Sequence, residues 1–308
     1  MNFSQLELIR AIQEKGSISA AADTVGFTQS AASRALSTLE DELGVTLVNR
    51  TRNGGVLTEI GKHLLPHIYE ILTHAEYIRQ DAAARRGLSV GKLRIGSIPS
   101  MSARLLSQLL GAFRYRYPGV ETVVFEGNEA EILTWIQQGI VDIGLVAYVE
   151  EDGNVVPIAR DELKIVVSEN HSLADRTSIQ ISDLANEPFV MSRFGCVPLI
   201  HSLFQEAHIP LNLQFELSDV NTVLAMVQEG LGVTMIPQLS LPEHLSTLRA
   251  LSLNPPQYRY LRAVCNNIKS ASPATCVFIE LARGFTGYSS ADSIQPTFDL
   301  SSAVLKDK

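Results

Sequence analysis

The sequence predicts an α/β protein with a helical front end. Residues 1–86 carry helix-period apolar patterns cut by caps and glycines. The segment "RNGG" marks one hairpin among them, and from Lys92 onward β-prone runs alternate with helical ones. A short helix, a tight turn, a longer helix and then a hairpin make a winged helix-turn-helix. Strand–helix alternation is the pattern of a parallel sheet covered by helices.

The elements follow in order. "FSQLELIRAIQEKG" reads as a helix with Ser4 as N-cap and Glu7 completing a capping box. Phe3 and Leu8 are placed for a hydrophobic staple, and Gly16 ends the helix. Ser17 starts "SISAAADTV", Gly26 breaks it, Phe27 packs, and Thr28 caps a third helix. There Ala32, Leu36, Leu39 and Leu43 recur at helical spacing and face a core. Ser30, Ser33, Arg34 and Ser37 lie opposite. Small residues at the start of this helix let it sink into a major groove. Gln29, Ser33 and Arg34 then reach base edges or phosphates. An exposed serine-rich helix without a partner has the same pattern. In "VTLVNRTRNGGVLTEIG" two β-prone runs form the wing, whose Arg50 and Arg52 suit phosphate or minor-groove contacts.

Thr58 caps a long helix running to about Arg86, with Pro66 expected to bend it. Leu64, Ile68, Ile71, Ala75, Ile78 and Ala82 form a heptad seam, which implies a dimer. His63, His67, Glu70 and His74 share one face, as either a solvated flank or a metal or pH-sensing stripe. After the Gly-punctuated "RRGLSVGKL", strands are expected at "KLRIGSI", "VETVVFE", "VDIGLVAY", "ELKIVVS", "PFVMS", "LQFEL", "GVTMIP" and "YLRAVC". Helices are expected over Ala103–Tyr115, Ala130–Gln138, about Val197–Ala207, about Val220–Glu229 and Pro273–Arg283. The tail from 286 to 308 reads as disordered.

Composition narrows the function. The 308-residue chain is 45% hydrophobic, with a net charge of −8, which does not by itself suggest a nucleic-acid binder. Residues 1–87 hold nine Lys/Arg against ten Asp/Glu, so any DNA contact depends on local placement of charge. No apolar run reaches the ~18 residues of a membrane span. "MNFSQLELIR" lacks a signal-peptide core. A cytoplasmic protein without a membrane partner is therefore expected. Cys196, Cys265 and Cys276 are too scattered for a disulfide framework or zinc site. With no Gly-rich phosphate loop, nucleophile elbow or metal cluster, neither an enzyme nor a cofactor is expected.

The stretch "SISAAADTVGFTQSAASRALSTLEDELGVTLVNRTRNGGVLTEIGKHLLPH" resembles the N-terminal region of LysR-type transcriptional regulators. The features are the A-A-D helix, the T-Q-S-A-x-S-R start, the L-E-x-x-L-G-V-x-L-x-x-R exit and the L-T-x-x-G start of the linker helix. "LRIGSI", "FRYRYPGV", "GIVDIGLV" and "VLAMVQEGLGVTMIP" agree in layout, so the resemblance covers about residues 1–285. It implies a winged helix-turn-helix at 1–58, a dimerising linker helix at 59–87 and an effector-binding domain at 88–285. That domain would be two-lobed, like a periplasmic binding protein, with lobe one about 88–160 and 266–285 and lobe two about 161–265. It further implies Gln29, Ser30, Ser33 and Arg34 as DNA readers with Arg50 and Arg52 on the wing, homodimers assembling into tetramers on promoter DNA, and a small metabolite held between the lobes.

Ligands of open parallel sheets sit at strand carboxyl ends. The candidates are Ser97, Pro99, Ser100 and Met101 in "GSIPSMSA", then Gly127 and Asn128, then Ala147 and Tyr148. From lobe two come Ser192, Arg193, Phe194 and Cys196, with Asn221 and Thr222 starting a further helix. Hydroxyls and helix N-termini there suit a small anionic or polar effector. A redox sensor using Cys196, at a helix N-terminus, is the alternative.

Overall fold

The computed structural model describes residues 1–51, 54–84, 91–149, 154–193 and 196–284. The chain divides into two compact units. The first is Met1–Ser102, Leu106–Val156 and Ala263–Ile279, and the second is built mainly on Pro157–Arg262.

The first unit opens with α1 (Phe3–Lys15), α2 (Ile18–Val25) and α3 (Gln29–Leu43). A hairpin of β1 (Val48–Thr51) and β2 (Gly54–Leu57) follows, then α4 (Glu59–Ala84), which runs on through Pro66. Gly16, Gly26 and Gly44 end the first three helices in the left-handed conformation, where glycine carries no side-chain penalty. Ser17 and Thr28 cap as expected. The cap of α1 is Asn2 and not Ser4. Its Oδ1 accepts from Gln5 N at 3.0 Å while Gln5 Oε1 accepts from Asn2 N at 2.8 Å. Asn-x-x-Gln satisfies the same two orphan donors two residues earlier than Ser-x-x-Glu. Phe3 is consequently inside the helix and 51% exposed, so it forms no staple with buried Leu8. Leu8, Ile9, Ile12, Ala22, Leu36 and Leu39 make the core, joined by Leu65, Ile68 and Leu72 of α4. Leu43, in the last turn of α3, overhangs that core and is 41% exposed.

After this come β3 (Gly91–Ser97), a helical turn α5 (Pro99–Met101), a π turn (Ser102–Leu106), α6 (Ser107–Arg116), β4 (Val120–Glu126), α7 (Glu129–Gln137) and β5 (Ile143–Val146). The strands pair in parallel in the order β4-β3-β5. Asp142, just before β5, ties the linker helix to this sheet. It accepts Tyr77 Oη at 3.1 Å, Arg94 N at 2.7 Å and Arg94 Nη2 at 2.6 Å. Burial, and then the Asp142 charge, hold the Tyr77 phenol well above its ordinary range.

The chain leaves the first unit in β6 (Val155–Ser168) and continues through β7 (Ser178–Ile179), β8 (Phe189–Ser192), α8 (Val197–Glu206) and β9 (Leu213–Leu217). Next are α9 (Val220–Gln228), β10 (Thr234–Pro237) and β11 (Leu248–Leu253). It returns in β12 (Tyr258–Val264), and α10 (Pro273–Arg283) follows. The purely parallel sheet expected from alternation holds for β8–β9, but β10 and β11 both run antiparallel to β6. Within this unit Arg259 and Asp161 form a buried pair at 2.8 Å, and Leu239 N also donates to Asp161. Among the described residues no helix is long and apolar enough to cross a membrane, and no His/Cys/Asp/Glu group could hold a metal.

Candidate nucleic-acid interface and strand-end site

Thr28 sets where the recognition helix starts: its Oγ1 accepts from Ala31 N at 3.2 Å. Gln29, Ser30 and Arg34 are exposed and Ser33 is half-buried, while Ala32, Leu36 and Leu39 anchor the opposite face. Ser30 Oγ lies 3.2 Å from Thr28 Oγ1. Arg34 has no ion-pair partner among the described residues. The helix thus offers a rigid stem with a polar, small-residue edge turned to solvent.

Glycines set the hairpin beside this helix. Gly54 has φ +150°, and a Cβ there would stand 2.2 Å from Gly16 O. Gly55 N donates to that same oxygen at 3.2 Å. A Cβ on Gly61 would stand 2.4 Å from Leu47 O, so only glycine lets α4 begin so close to β1. Glu40 completes the junction by accepting Leu47 N at 2.7 Å and Val48 N at 3.0 Å. These positions escaped the residue-level reading, which took "GG" only as a turn. An acid on the flank of α3 and a glycine in the first turn of a helix were the available signals. In β1 the backbone of Arg50 pairs with Gly55. Arg52 lies outside the described residues.

At the strand ends of the first unit, Ser97 pairs with Leu145 and Glu126 of the adjoining strands, and Gly127 N donates to Ser97 O at 3.2 Å. Ser97, Glu126 and Leu145 are therefore neighbours by register, with Gly127 bonded to Ser97 and Ala147 two residues beyond Leu145. Ser97 corrects an expectation: it is fully buried and its hydroxyl donates to Ile98 O, so it presents nothing to solvent. Met101 and Ala147 are likewise buried. Pro99 is exposed, and Ser100 and Tyr148 are half-buried. Asn128 caps α7 in a reciprocal box with Glu131.

In the second unit, Ser192 at the end of β8 pairs with Leu217 of β9. Arg193 is exposed and lies 3.8 Å from Glu216. Asn221 and Thr222 are exposed at the start of α9, whose cap Asp219 accepts Thr222 N and Oγ1, each at 2.8 Å. Those bonds hold the Asp219 carboxyl below the ordinary carboxylate range. Cys196 precedes α8 as expected, but it is buried in the apolar core with Ile200 and Phe204, which shields its thiol from an oxidant. Cys265 belongs to the first unit. Phe194 lies outside the described residues. The histidine stripe is exposed, and His67 stands 3.9 Å from Glu70.

A helix-turn-helix with a glycine-set wing, followed by an α/β ligand-binding domain, defines a one-component transcriptional regulator. Residues 3–62 match the bacterial regulatory helix-turn-helix of the lysR family, and residues 86–286 match the LysR substrate binding domain. The chain belongs to the LysR family of DNA-binding transcriptional regulators. Both matched domains are those of regulators and not of enzymes. It is 34% identical to the uncharacterized regulator YvbU of Bacillus subtilis, over 93% of this chain and 99% of YvbU. Its fold is similar to a full-length variant of OxyR from Pseudomonas aeruginosa, with a TM-score of 0.73 and 20% identity over 92% and 98% of the two chains. It is also similar to full-length CbnR complexed with its target DNA, with a TM-score of 0.65 and 22% identity over 92% and 99%.

Proposed function

We propose that this regulator reads double-stranded promoter DNA with Gln29, Ser30, Ser33 and Arg34 in the major groove, and with Arg50 and Arg52 on the backbone or minor groove. The observation that carries the reading is the exposed polar edge of α3, backed by buried Ala32, Leu36 and Leu39. Arg34→Ala should lose ~1–3 kcal/mol of specific binding if it reads a base, measured by gel-shift titration on the native promoter. Unchanged binding, with the dimer intact, removes Arg34 from the interface.

The protein works in the cytoplasm as a dimer through α4, assembled into tetramers. Ile71 and Ile78 are 38% and 69% exposed although apolar, which supports a partner helix on that face. Ile68 and Leu64 pack instead on this chain's own core. Ile71→Glu with Ile78→Glu should give monomers that bind DNA weakly; an unaltered sedimentation profile places the seam elsewhere.

A small anionic or polar effector binds at strand ends, where Ser100, Asn128 and Thr222 stand in or beside first helical turns and Tyr148, Ser192 and Arg193 end or follow strands. Ser100→Trp should retain DNA binding and lose the response to effector. A normal response in that variant moves the effector site away from Ser100.

A further inference from the structure

Four backbone donors between α3 and the wing converge on one residue. Glu40 O accepts the amides of Gly44 and Val45 as α3 ends, the second at 3.2 Å. Glu40 Oε1 then accepts Leu47 N at 2.7 Å and Val48 N at 3.0 Å. Leu47 and Val48 are both buried, so their amides would be costly to leave without an acceptor. A carboxylate oxygen that takes two N–H groups makes charge-assisted bonds, shorter and stronger than neutral ones. The remaining backbone bonds of the wing hold other parts of it. Thr58 N and Oγ1 bond to the Leu47 and Thr46 carbonyls at its exit, and Gly55 N bonds to Gly16 O near its turn. Neither of these ties the wing to α3; the Glu40 carboxylate does.

On α3, Glu40 follows Arg34 by six residues, about 9 Å along the axis and about a third of a turn around it. On β1, the backbone of Arg50 follows Val48 by two residues, about 7 Å of strand. One carboxylate therefore fixes how far the wing stands from the base-reading edge. Building on the reading of α3 and the wing proposed above, we propose that Glu40 is a positioning residue for DNA recognition. It holds the wing at the spacing where its arginines meet the duplex while α3 sits in the groove. Glu40 touches no DNA in this role. A bare acid at this place would repel phosphates, and its removal would tighten binding. Removal of a positioning group weakens binding, because the wing loses its place. The two roles differ in sign.

Salt-dependent titration of the full-length protein, on a duplex that it selects from randomised sequence, tests this. The variants are Glu40→Ala, Glu40→Gln and the pair Arg50→Ala with Arg52→Ala, alone and combined. The arginine pair should make log affinity fall less steeply with log salt, by about 2 in slope. Glu40→Ala should weaken binding about tenfold in the wild-type chain, but less than about twofold once both arginines are gone. Its salt slope should fall toward that of the arginine variant. Glu40→Gln keeps an acceptor oxygen and should bind within about threefold of wild type. A variant that merely unfolds loses affinity equally with and without the arginines, so equal losses overturn the proposal. Tighter binding by Glu40→Ala also overturns it and makes Glu40 a repelling charge. An unchanged slope in the arginine pair sinks the wing reading and the proposal together. A changed slope there, with Glu40→Ala at full affinity, sinks the proposal alone.

Discussion

The start of the recognition helix and the strand ends of the effector domain are both rich in small polar residues, yet they use them in opposite ways. On α3, Gln29 and Arg34 face solvent and make no internal side-chain hydrogen bond or ion pair among the described residues. At the strand ends, Ser97 donates to Ile98 O, Asn128 caps α7, Asp219 and Thr222 cap α9, and Arg193 stands near Glu216. A polar group without an internal partner keeps its full hydrogen-bonding capacity for a ligand. One that closes a cap must break that bond, or share it, to bind anything. DNA contacts can thus be lost without unfolding, whereas many strand-end substitutions register first as stability losses.

The sharpest break of this contrast removes the most engaged acid. Asp142→Ala leaves Arg94 with no carboxylate, and Tyr77 and the Arg94 backbone N–H with no acceptor. The expected loss is about 3 kcal/mol, at the low end for a buried pair because Arg94 keeps 22% exposure. Urea denaturation should show it, and a change below ~1 kcal/mol would mean that Asp142 does not hold the linker helix. At the open extreme, Gln29→Ala should cost ~1–3 kcal/mol in promoter binding if Gln29 reads a base and move stability by no more than ~0.5 kcal/mol. A drop in melting temperature without weaker binding would reverse the contrast.

Asn128→Ala should cost ~1 kcal/mol of stability, as lost N-caps do, with promoter binding unchanged. Unchanged stability would mean that the Asn128 cap does not hold the start of α7. The smallest effect concerns Asp219. Its carboxyl lies lower in the folded chain than unfolded, so its contribution is present above the unfolded value of about 3.9 and is lost as pH falls through the folded one. Acid titration of stability should show a slightly shallower loss in Asp219→Asn, and identical acid profiles would remove Asp219 from the account.

Much of the DNA-binding region was legible because its signals are local. Gly16, Gly26 and Gly44, the caps Ser17 and Thr28, and the spacing of Ala32, Leu36 and Leu39 act within a few residues of themselves. The α1 cap slipped by two residues because two capping boxes overlap there, and propensity cannot rank Asn2 against Ser4. In the effector domain, "VETVVFE" and "LQFEL" are strands over their full expected lengths. β7 and β11 went unread: one is two residues long, and the other, "LRALSL", lacks clean alternation. Of the strand-end candidates, the pairing of β3 with β4 brought Ser97 and Gly127 together, while burial withdrew Ser97, Met101 and Ala147 from solvent.

By itself, then, the sequence determined where helices start and stop, which α3 face is apolar, and that glycine stands at the wing. These follow from backbone dihedrals and side-chain period, which need no distant partner. Tertiary structure alone decided that Arg94 meets Asp142 and Arg259 meets Asp161, 48 and 98 residues apart in the chain. It also placed Gly54 and Gly55 on the Gly16 carbonyl and left Leu43 outside the core. Pairing across such separations depends on where whole elements pack, and no spacing rule within one segment encodes which buried polar atom will find a partner.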